Sequence, residues 1–415
     1  MEDFNTIEDF NQPSPERIGL LNSLHQAIGD VPRYFWALCQ VCDLQALENL
    51  IEHARISPGA VRIIAAHATD TIVRYWTQSN QGTSRTSTPS TTQIKRGLGS
   101  SPADSPSAKR QKTTGSPASS PLAERQTTTN SPTSSPLLHR SKIATALAKE
   151  RDGCCCVLTS DKAIDVAHIY PFCRLSGSEE NIFGARHIFW DHLRNFWSEE
   201  KVAAWETKIF PRGLSEIGEE RVDNLITLSK TSHVHWNRGA FALKPISLCD
   251  NNTTLKVQFF WQKKQPGLQA TISLCTTPLS TEGLDCNEGA FDDGQIKLFD
   301  YKKNKLIKSG DIFDLKTDDP IKKPLPNFSL LELQWALTRV VGMAGAAFPY
   351  EPTSGDDDWD DSDVPGLVLD KTSFISDLSN SPEVLHQVNR RLMESVKHYA
   401  EGAEGDRVVG VVKEM

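Results

Sequence analysis

Three features that mark large classes of proteins are missing from this sequence. No run of about 18 apolar residues occurs, and the start, Met1-Glu-Asp-Phe-Asn5, lacks the basic and apolar layout of a secretory signal. The nine cysteines are odd in number and do not form the two Cys-x-x-Cys pairs that hold a structural zinc. A membrane protein, a disulfide-stapled secreted domain and a zinc ribbon are therefore not expected. We predict a soluble, intracellular protein with no membrane partner.

An excess of positive charge is also missing. The net charge is −8, and residues 141–250 hold 14 Lys and Arg against 15 Asp and Glu. Binding to a phosphate backbone depends on clustered positive charge, so composition alone gives no support to nucleic-acid binding. A surface of that kind would have to be a local patch.

The length and the changes in composition predict six segments. A chain of 415 residues with 38% hydrophobic residues has room for two or three domains. The segments are a helical N-terminal region (1–80), a disordered basic linker rich in Ser, Thr and Pro (81–140), a central domain (141–250), an α/β extension (251–350), an acidic linker (351–365) and a helical C-terminal tail (366–415).

The first two segments are predicted to be a small helical domain or arm and a disordered basic linker. Apolar residues of the N-terminal region recur every three or four positions, which predicts about three helices with a plain helical core. These helices could also dock onto the central domain or form a homo-oligomer. The linker has too little apolar content to offset the entropy of ordering it. Its cluster Lys109-Arg110-Gln111-Lys112 resembles a nuclear-import signal, which leaves a nuclear location open, or a weak phosphate-binding patch.

Residues suited to hydrolytic chemistry are concentrated in the central domain. Ile164–Ile169 alternates apolar and polar residues and precedes Pro171, which predicts a short strand with His168 near its exposed end. The apolar run Leu225–Leu228 predicts a second strand. In the helix expected after it, His233 and Asn237 are four residues apart and so lie on one face.

These residues resemble the HNH endonuclease family, whose compact ββα-metal site hydrolyses phosphodiester bonds in nucleic acid with one divalent cation. The resemblance rests on Asp165-Val-Ala-His168 and on the stretch from Asp223 to Asn237, with nine residues from Asn224 to His233 and four more to Asn237. The Trp-Asn-Arg-Gly turn that follows is also similar.

The resemblance implies a role for each matched residue. His168 corresponds to the general base, a role suited to an imidazole because its ordinary pKa is near neutrality. Asn224 corresponds to the asparagine that braces the loop carrying the base. His233 corresponds to a metal ligand on the helix, and Asn237 to a second ligand one turn later.

One position departs from the pattern. Many relatives have an Asp or His metal ligand directly before the base, where this chain has Ala167. Either Asp165, on the same strand face as Ala167, substitutes for that ligand, or His168 is itself drawn to the metal and water completes the shell. The amide oxygen of Asn237 favours Mg²⁺ or Mn²⁺ and leaves Zn²⁺ open.

The remaining basic residues of this region are candidates for phosphate contacts. Lys230, Arg238 and Arg186 are predicted to bind nucleic acid, for which DNA is the expected form. A gap of 56 residues separates His168 from Asn224, so a helical insertion must fold between them. Its aromatic residues are expected in the core rather than stacked on bases.

The extension is predicted to contain a β-hairpin and a buried helix. Thr254–Trp261 and residues 269–274 would form the hairpin around Gln265-Pro-Gly267, and the run from Leu330 to Ala347 would form the helix. The seven acidic residues of 351–363 are expected to be a solvated linker or an internal mimic of DNA.

The sequence as a whole predicts an α+β protein with a ββα-metal core, a helical insertion and a β-hairpin extension, preceded by the helical region and the linker. Its expected activity is metal-dependent hydrolysis of nucleic acid. An alternative is a catalytically inactive HNH-fold protein that binds nucleic acid or a protein partner, as the alanine at position 167 would favour. A third interpretation is a scaffold whose N-terminal helices carry the function.

Overall fold

A computed structural model describes residues 6–77, 140–175, 180–249, 251–263, 270–287 and 295–345. The basic cluster at 109–112, the acidic segment 351–363 and the C-terminal tail lie outside these ranges, so the expectations for them stay predictions. Within the described ranges, no helix combines the length and the apolar character needed to cross a membrane.

The N-terminal region is helical, as its apolar spacing predicts. Ser14 caps the first helix by accepting a hydrogen bond from the backbone of Arg17. The elements are α1 (Pro15–Ile28), β1 (Val31–Pro32), α2 (Arg33–Val41), α3 (Leu44–Ile56), α4 (Pro58–Ala68), a π-helical turn (Thr69–Val73) and α5 (Arg74–Thr77).

The central region contains the predicted strand, strand and helix, with two further helices inserted between the strands. Ser229 ends the second strand and caps the helix after it by accepting from Ser232. The elements are α6 (Lys142–Arg151), β2 (Ile164–His168), α7 (Glu180–Leu193), α8 (Glu199–Ile209), β3 (Leu225–Ser229) and α9 (Lys230–Asn237).

The last described region is a small sheet with a long helix packed on it. The elements are β4 (Phe241–Leu248), β5 (Thr254–Trp261), β6 (Thr271–Ile272), β7 (Phe299–Asp300), β8 (Lys305–Leu306), β9 (Ile312–Lys316) and α10 (Phe328–Ala344). β5 lies between β4 and β9, antiparallel to both. Pro245 is tolerated in β4 because β4 is an edge strand of this sheet.

The predicted hairpin between β5 and residues 269–274 is wrong. β4 pairs with β5 along nearly its whole length, whereas Thr271 and Ile272 pair with Pro32 and Val31 of β1. The longer strand β4 offers β5 more hydrogen bonds and more apolar contacts. Its Phe241 stacks on Phe259 with ring centroids 4.9 Å apart.

A continuous hydrophobic core joins the N-terminal helices, the inserted helices and the sheet. Tyr75 of α5 stacks on Phe189 of α7 at 4.4 Å, and its hydroxyl lies 3.3 Å from that of Tyr170. Trp190 and Trp205 of the insertion are buried, which confirms that these aromatic residues belong to the core. The helices therefore pack against the segment that directly follows His168. An oligomer formed through them stays a prediction.

Candidate active site

The candidate residues lie on a two-stranded sheet with a helix on each face. β2 and β3 are antiparallel, with His168 opposite Leu225. Leu225 packs with Ala144 and Ala148 of α6, and directly opposite residues share a face, so His168 is on the α6 side. Because side chains alternate along a strand, Asp165 lies on the α9 side.

His168 is paired with a carboxylate. Its Nε2 lies 3.0 Å from Oε1 of Glu220, and both side chains are nearly buried, with 6% and 3% of their surface exposed. The ring packs against Phe172, with centroids 5.3 Å apart. On the backbone, the carbonyl oxygen of His168 accepts a hydrogen bond from the indole of Trp236, which ties α9 to the end of β2.

Sequence reasoning missed Glu220. Burial acts to raise the pKa of this carboxyl, but hydrogen bonds from His168 and from the backbone N–H of Ser141, with the charge of Arg140, hold the pKa below its usual value. No spacing rule distinguishes Glu220 from Glu219 beside it. Only the folded chain brings it to His168.

Asn224 is buried where its amide can hold the backbone after His168. Its Oδ1 accepts a hydrogen bond from the N–H of Tyr170 at 2.8 Å, and its Nδ2 donates to the carbonyl oxygen of Tyr170 at 3.0 Å. The carbonyl oxygen of Asn224 in turn accepts from the N–H of Ile169 at 2.9 Å. The segment that follows His168 is thereby fixed at three backbone atoms.

Asp165 and His233 meet on the α9 side of the sheet. Nδ1 of His233 lies 3.6 Å from Oδ2 of Asp165, and this buried nitrogen has no hydrogen-bond partner among the described residues. The His233 ring, with added attraction from Lys230 and Lys149, holds the pKa of Asp165 below its usual value. A deprotonated carboxylate therefore stands beside an imidazole nitrogen, an arrangement open to a cation.

Asn237 follows His233 by one turn of α9, so the two side chains share a helix face. Its Nδ2 is buried and has no hydrogen-bond partner among the described residues. Rotating the amide by half a turn would place Oδ1 there instead, and an amide oxygen can bind a cation.

The donor set fits one divalent cation only if Asn237 and water contribute. Asp165 and His233 supply a carboxylate oxygen and an imidazole nitrogen, and Nδ1 of His233 has no hydrogen-bond partner among the described residues. In the described part of the chain, no three side chains of His, Cys, Asp or Glu come together as a metal-binding group. Ala167 is fully buried and offers no ligand.

His235 is a second unpaired histidine of α9 but is not part of this arrangement. Its buried Nδ1 has no partner in the described structure. Burial, with repulsion from Arg238, lowers its pKa to about 4, so the ring is neutral at neutral pH. Two residues from His233 on the helix, it points in a different direction.

The structure corrects one of the three predicted phosphate contacts. Lys230 is exposed at the start of α9, and Arg238 follows its last residue. Arg186 is fully buried, and its guanidinium donates hydrogen bonds to backbone carbonyl oxygens, including those of Leu214 and Glu216 at 2.8 Å. A side chain enclosed in this way cannot reach a phosphate, so the prediction for Arg186 is wrong.

A basic hairpin that the sequence analysis did not single out lies beside the central region. Between β7 and β8, the side chains of Tyr301, Lys302 and Lys303 are exposed. The backbone N–H of Tyr301 donates to the carbonyl oxygen of Thr159. Burial raises the pKa of the Cys155 thiol overall, although Lys302 is near enough that its charge acts to lower this pKa. Lys308 just after β8 is exposed as well. Lys303 and Lys305 of this hairpin pair with Asp300 and Asp311, whereas no ion pair is described for the exposed Lys302 and Lys308.

Comparison with protein families identifies this part of the chain. Residues 155–244 match the family model described as HNH endonuclease. The match runs from before β2 into β4, so it contains every residue of the candidate site, and it covers less than a quarter of the chain. No curated protein and no solved structure gives a significant match.

The match confirms the resemblance drawn from Asp165–His168 and Asp223–Asn237. The mixed helices and small antiparallel sheets are consistent with an HNH domain, which indicates a nuclease-type function related to nucleic acid.

Proposed function

We propose that this protein is a metal-dependent endonuclease that hydrolyses phosphodiester bonds, with DNA as its substrate. The observation that carries the proposal is the arrangement around β2 within the matched segment. His168 ends the strand, while Asp165 and His233 stand 3.6 Å apart on its other side. Phosphodiester hydrolysis requires a base and a cation site, and β2 carries the candidate for each, on opposite faces of the strand.

In this proposal, His168 removes a proton from the attacking water. Asn224 holds the backbone after His168 through its two hydrogen bonds to Tyr170. Trp236 fixes the strand end relative to α9, because its indole donates to the carbonyl oxygen of His168 at 3.1 Å. These contacts would keep the base and the ligands of α9 at a constant separation.

Asp165, His233 and Asn237 would hold the cation. A bound Mg²⁺ or Mn²⁺ would neutralise negative charge on the phosphate and on the departing oxygen. The carboxylate and amide oxygens suit these hard cations, whereas the imidazole also admits Zn²⁺.

The ligand set predicts a loss of metal affinity when Asp165 or His233 is changed. We expect Asp165→Asn and His233→Ala each to weaken Mn²⁺ binding at least about tenfold, a loss of the size seen when support for a metal site is removed. Titration calorimetry of the full chain with Mn²⁺ measures this without an activity assay. Asp314→Asn, which changes a half-exposed carboxylate of β9, is the control. Wild-type affinity in both variants would rule out this ligand set.

The basic hairpin would contact the phosphate backbone together with Lys230 and Arg238. We expect the double variant Lys302→Ala with Lys308→Ala to bind duplex DNA more weakly. Its dependence of log affinity on log salt should be shallower by about 2, since each phosphate contact contributes about 0.9. Binding is measured at several salt concentrations with a chelator present.

A control for the hairpin removes the same charge elsewhere. Lys208→Ala with Lys322→Ala takes two exposed lysines from α8 and from the loop before α10. Equal slopes in the two double variants would mean that the hairpin makes no specific phosphate contact.

The function itself is tested by nicking of supercoiled plasmid. The full chain is incubated with Mg²⁺, Mn²⁺, Zn²⁺ or a chelator, and nicked and linear products are quantified. We expect cleavage that requires a divalent cation. A folded protein that cleaves nothing with any of these metals would contradict the proposal.

A second candidate is an inactive HNH-fold protein that binds nucleic acid. It is favoured by the buried Ala167 and by the lack, among the described residues, of a group of three His, Cys, Asp or Glu side chains. Metal-independent binding of DNA without cleavage would support it.

A further inference from the structure

We propose that Glu220 is a positioning residue for His168. It would hold the imidazole as the tautomer with hydrogen on Nε2, so that Nδ1 is left to accept the proton of the attacking water. This inference rests on the proposed nuclease function. It adds a residue that neither the sequence motif nor the family resemblance assigns.

The chemistry of the contact selects the tautomer. An ionised carboxylate has only acceptor atoms, and the hydrogen bonds of Glu220 keep it ionised. The 3.0 Å contact between Oε1 and Nε2 of His168 must therefore be donated by the ring. In a neutral imidazole, a hydrogen on Nε2 leaves Nδ1 with the free lone pair that a base needs.

The second oxygen of Glu220 fixes the carboxylate in place. Oε2 accepts a hydrogen bond from the backbone N–H of Ser141. Ser141 in turn caps α6, because its hydroxyl accepts from the N–H of Ala144. The carboxylate of Glu220 is thus hydrogen-bonded to the backbone at the start of α6.

Phe172 and Arg140 lie beside the pair. Phe172 packs on the His168 ring, and the guanidinium of Arg140 lies over Phe172 at 5.3 Å from its centroid. The positive charge of Arg140 also acts to lower the pKa of Glu220. With both side chains nearly buried, water competes little for the contact.

An amide cannot replace this carboxylate. Glutamine has one acceptor oxygen and one NH₂ donor, whereas the site presents two donors, the N–H of Ser141 and Nε2–H of His168. If the oxygen faces Ser141, whose N–H can only donate, the NH₂ faces His168 and requires an unprotonated Nε2. The imidazole hydrogen must then move to Nδ1, which removes the base.

The test compares Glu220→Gln with the wild type as full chains. Long-range ¹H–¹⁵N NMR spectra of histidine-labelled protein report the tautomer, and the signals of His168 are those lost in His168→Ala. We expect Nε2–H in the wild type and Nδ1–H in Glu220→Gln. In plasmid nicking, kcat should fall roughly a hundredfold to ten-thousandfold, the contribution of a general base, with KM little changed.

Two further variants separate positioning from a structural role. Glu219→Gln makes the same change one residue away, at a half-exposed side chain, and should behave as wild type. Glu220→Asp keeps two acceptor oxygens and should keep the Nε2–H tautomer with part of the activity. If Glu220→Gln unfolds, Glu220→Asp decides the question: an Nδ1–H tautomer in that variant overturns the inference.

The outcomes also distinguish this inference from the proposed function. An active wild type with an unchanged tautomer and rate in Glu220→Gln would overturn the role of Glu220 alone. A wild type that cleaves nothing would overturn the nuclease function and with it the catalytic role of the contact. In that case the spectra would still decide whether Glu220 sets the tautomer.

Discussion

Replacing His168 with alanine is expected to abolish detectable DNA cleavage while the protein stays folded. In the proposed mechanism the imidazole deprotonates the attacking water, and loss of a general base costs roughly a hundredfold to ten-thousandfold in rate. The fold should survive, because the backbone around His168 is held by Asn224 and Trp236 rather than by the imidazole. The nicking rate of the variant, measured beside its thermal unfolding midpoint, tests both statements.

The matched control is His53→Ala, which removes a half-buried histidine of α3 outside the segment that matches the HNH family. It should cleave at the wild-type rate. Undiminished cleavage by a folded His168→Ala would show that His168 is not the general base that the resemblance implies.

Replacing Arg186 with methionine is expected to cost stability rather than DNA affinity. The guanidinium donates to the carbonyl oxygens of Arg174, Leu175, Leu214 and Glu216 and stacks over Phe210 at 4.2 Å. Methionine keeps much of the volume and none of the donors. The carbonyl oxygen of Leu175 keeps its hydrogen bond from the N–H of Gly218, so three acceptors lose their donor. Since each buried acceptor left unpaired costs about 1–3 kcal/mol, we expect a loss of at least about 3 kcal/mol in the free energy of unfolding.

Urea unfolding measures the change, and Arg212→Met serves as its control. Arg212 is largely exposed, with a 3.5 Å ion pair to Glu219, and pairs of that kind contribute about 0–1 kcal/mol. Folded Arg186→Met should bind duplex DNA as the wild type does. If Arg186→Met had wild-type stability but bound DNA more weakly, Arg186 would contact phosphate after all.

Secondary structure near the site could be predicted because its signals are local. Alternation in Ile164–Ile169 followed by Pro171 predicted β2, the apolar run Leu225–Leu228 predicted β3, and the four-residue spacing of His233 and Asn237 placed them on one helix face. Each of these patterns depends on a few consecutive residues, so the predictions did not require knowledge of how distant segments pack.

Pairing between distant segments could not be predicted in the same way. β6 pairs with β1, from which it is separated by more than 200 residues, and the turn-like Gln265-Pro-Gly267 therefore gave a false hairpin. The strand that pairs with β5 is β4, and the stacked rings of Phe241 and Phe259 that favour this pairing are seen only in the folded chain. Strand partners are decided by competition for apolar surface across the whole chain.

The sequence also did not reveal which basic side chains are exposed and which are buried. Arg186 and Lys302 are both basic, yet the first is enclosed by backbone carbonyls and the second is exposed beside the central region. Whether a guanidinium meets a phosphate or a carbonyl depends on what packs around it.

The sequence by itself determined the strand, strand and helix of the HNH segment and the residues that the motif carries, His168, Asn224, His233 and Asn237, because these follow from local periodicity and short spacings. Tertiary structure decided that Asp165 reaches His233, that Glu220 reaches His168 across 52 positions, and that Arg186 is sealed inside. These contacts depend on how helices and strands far apart in sequence pack together, and a local sequence pattern does not predict that packing.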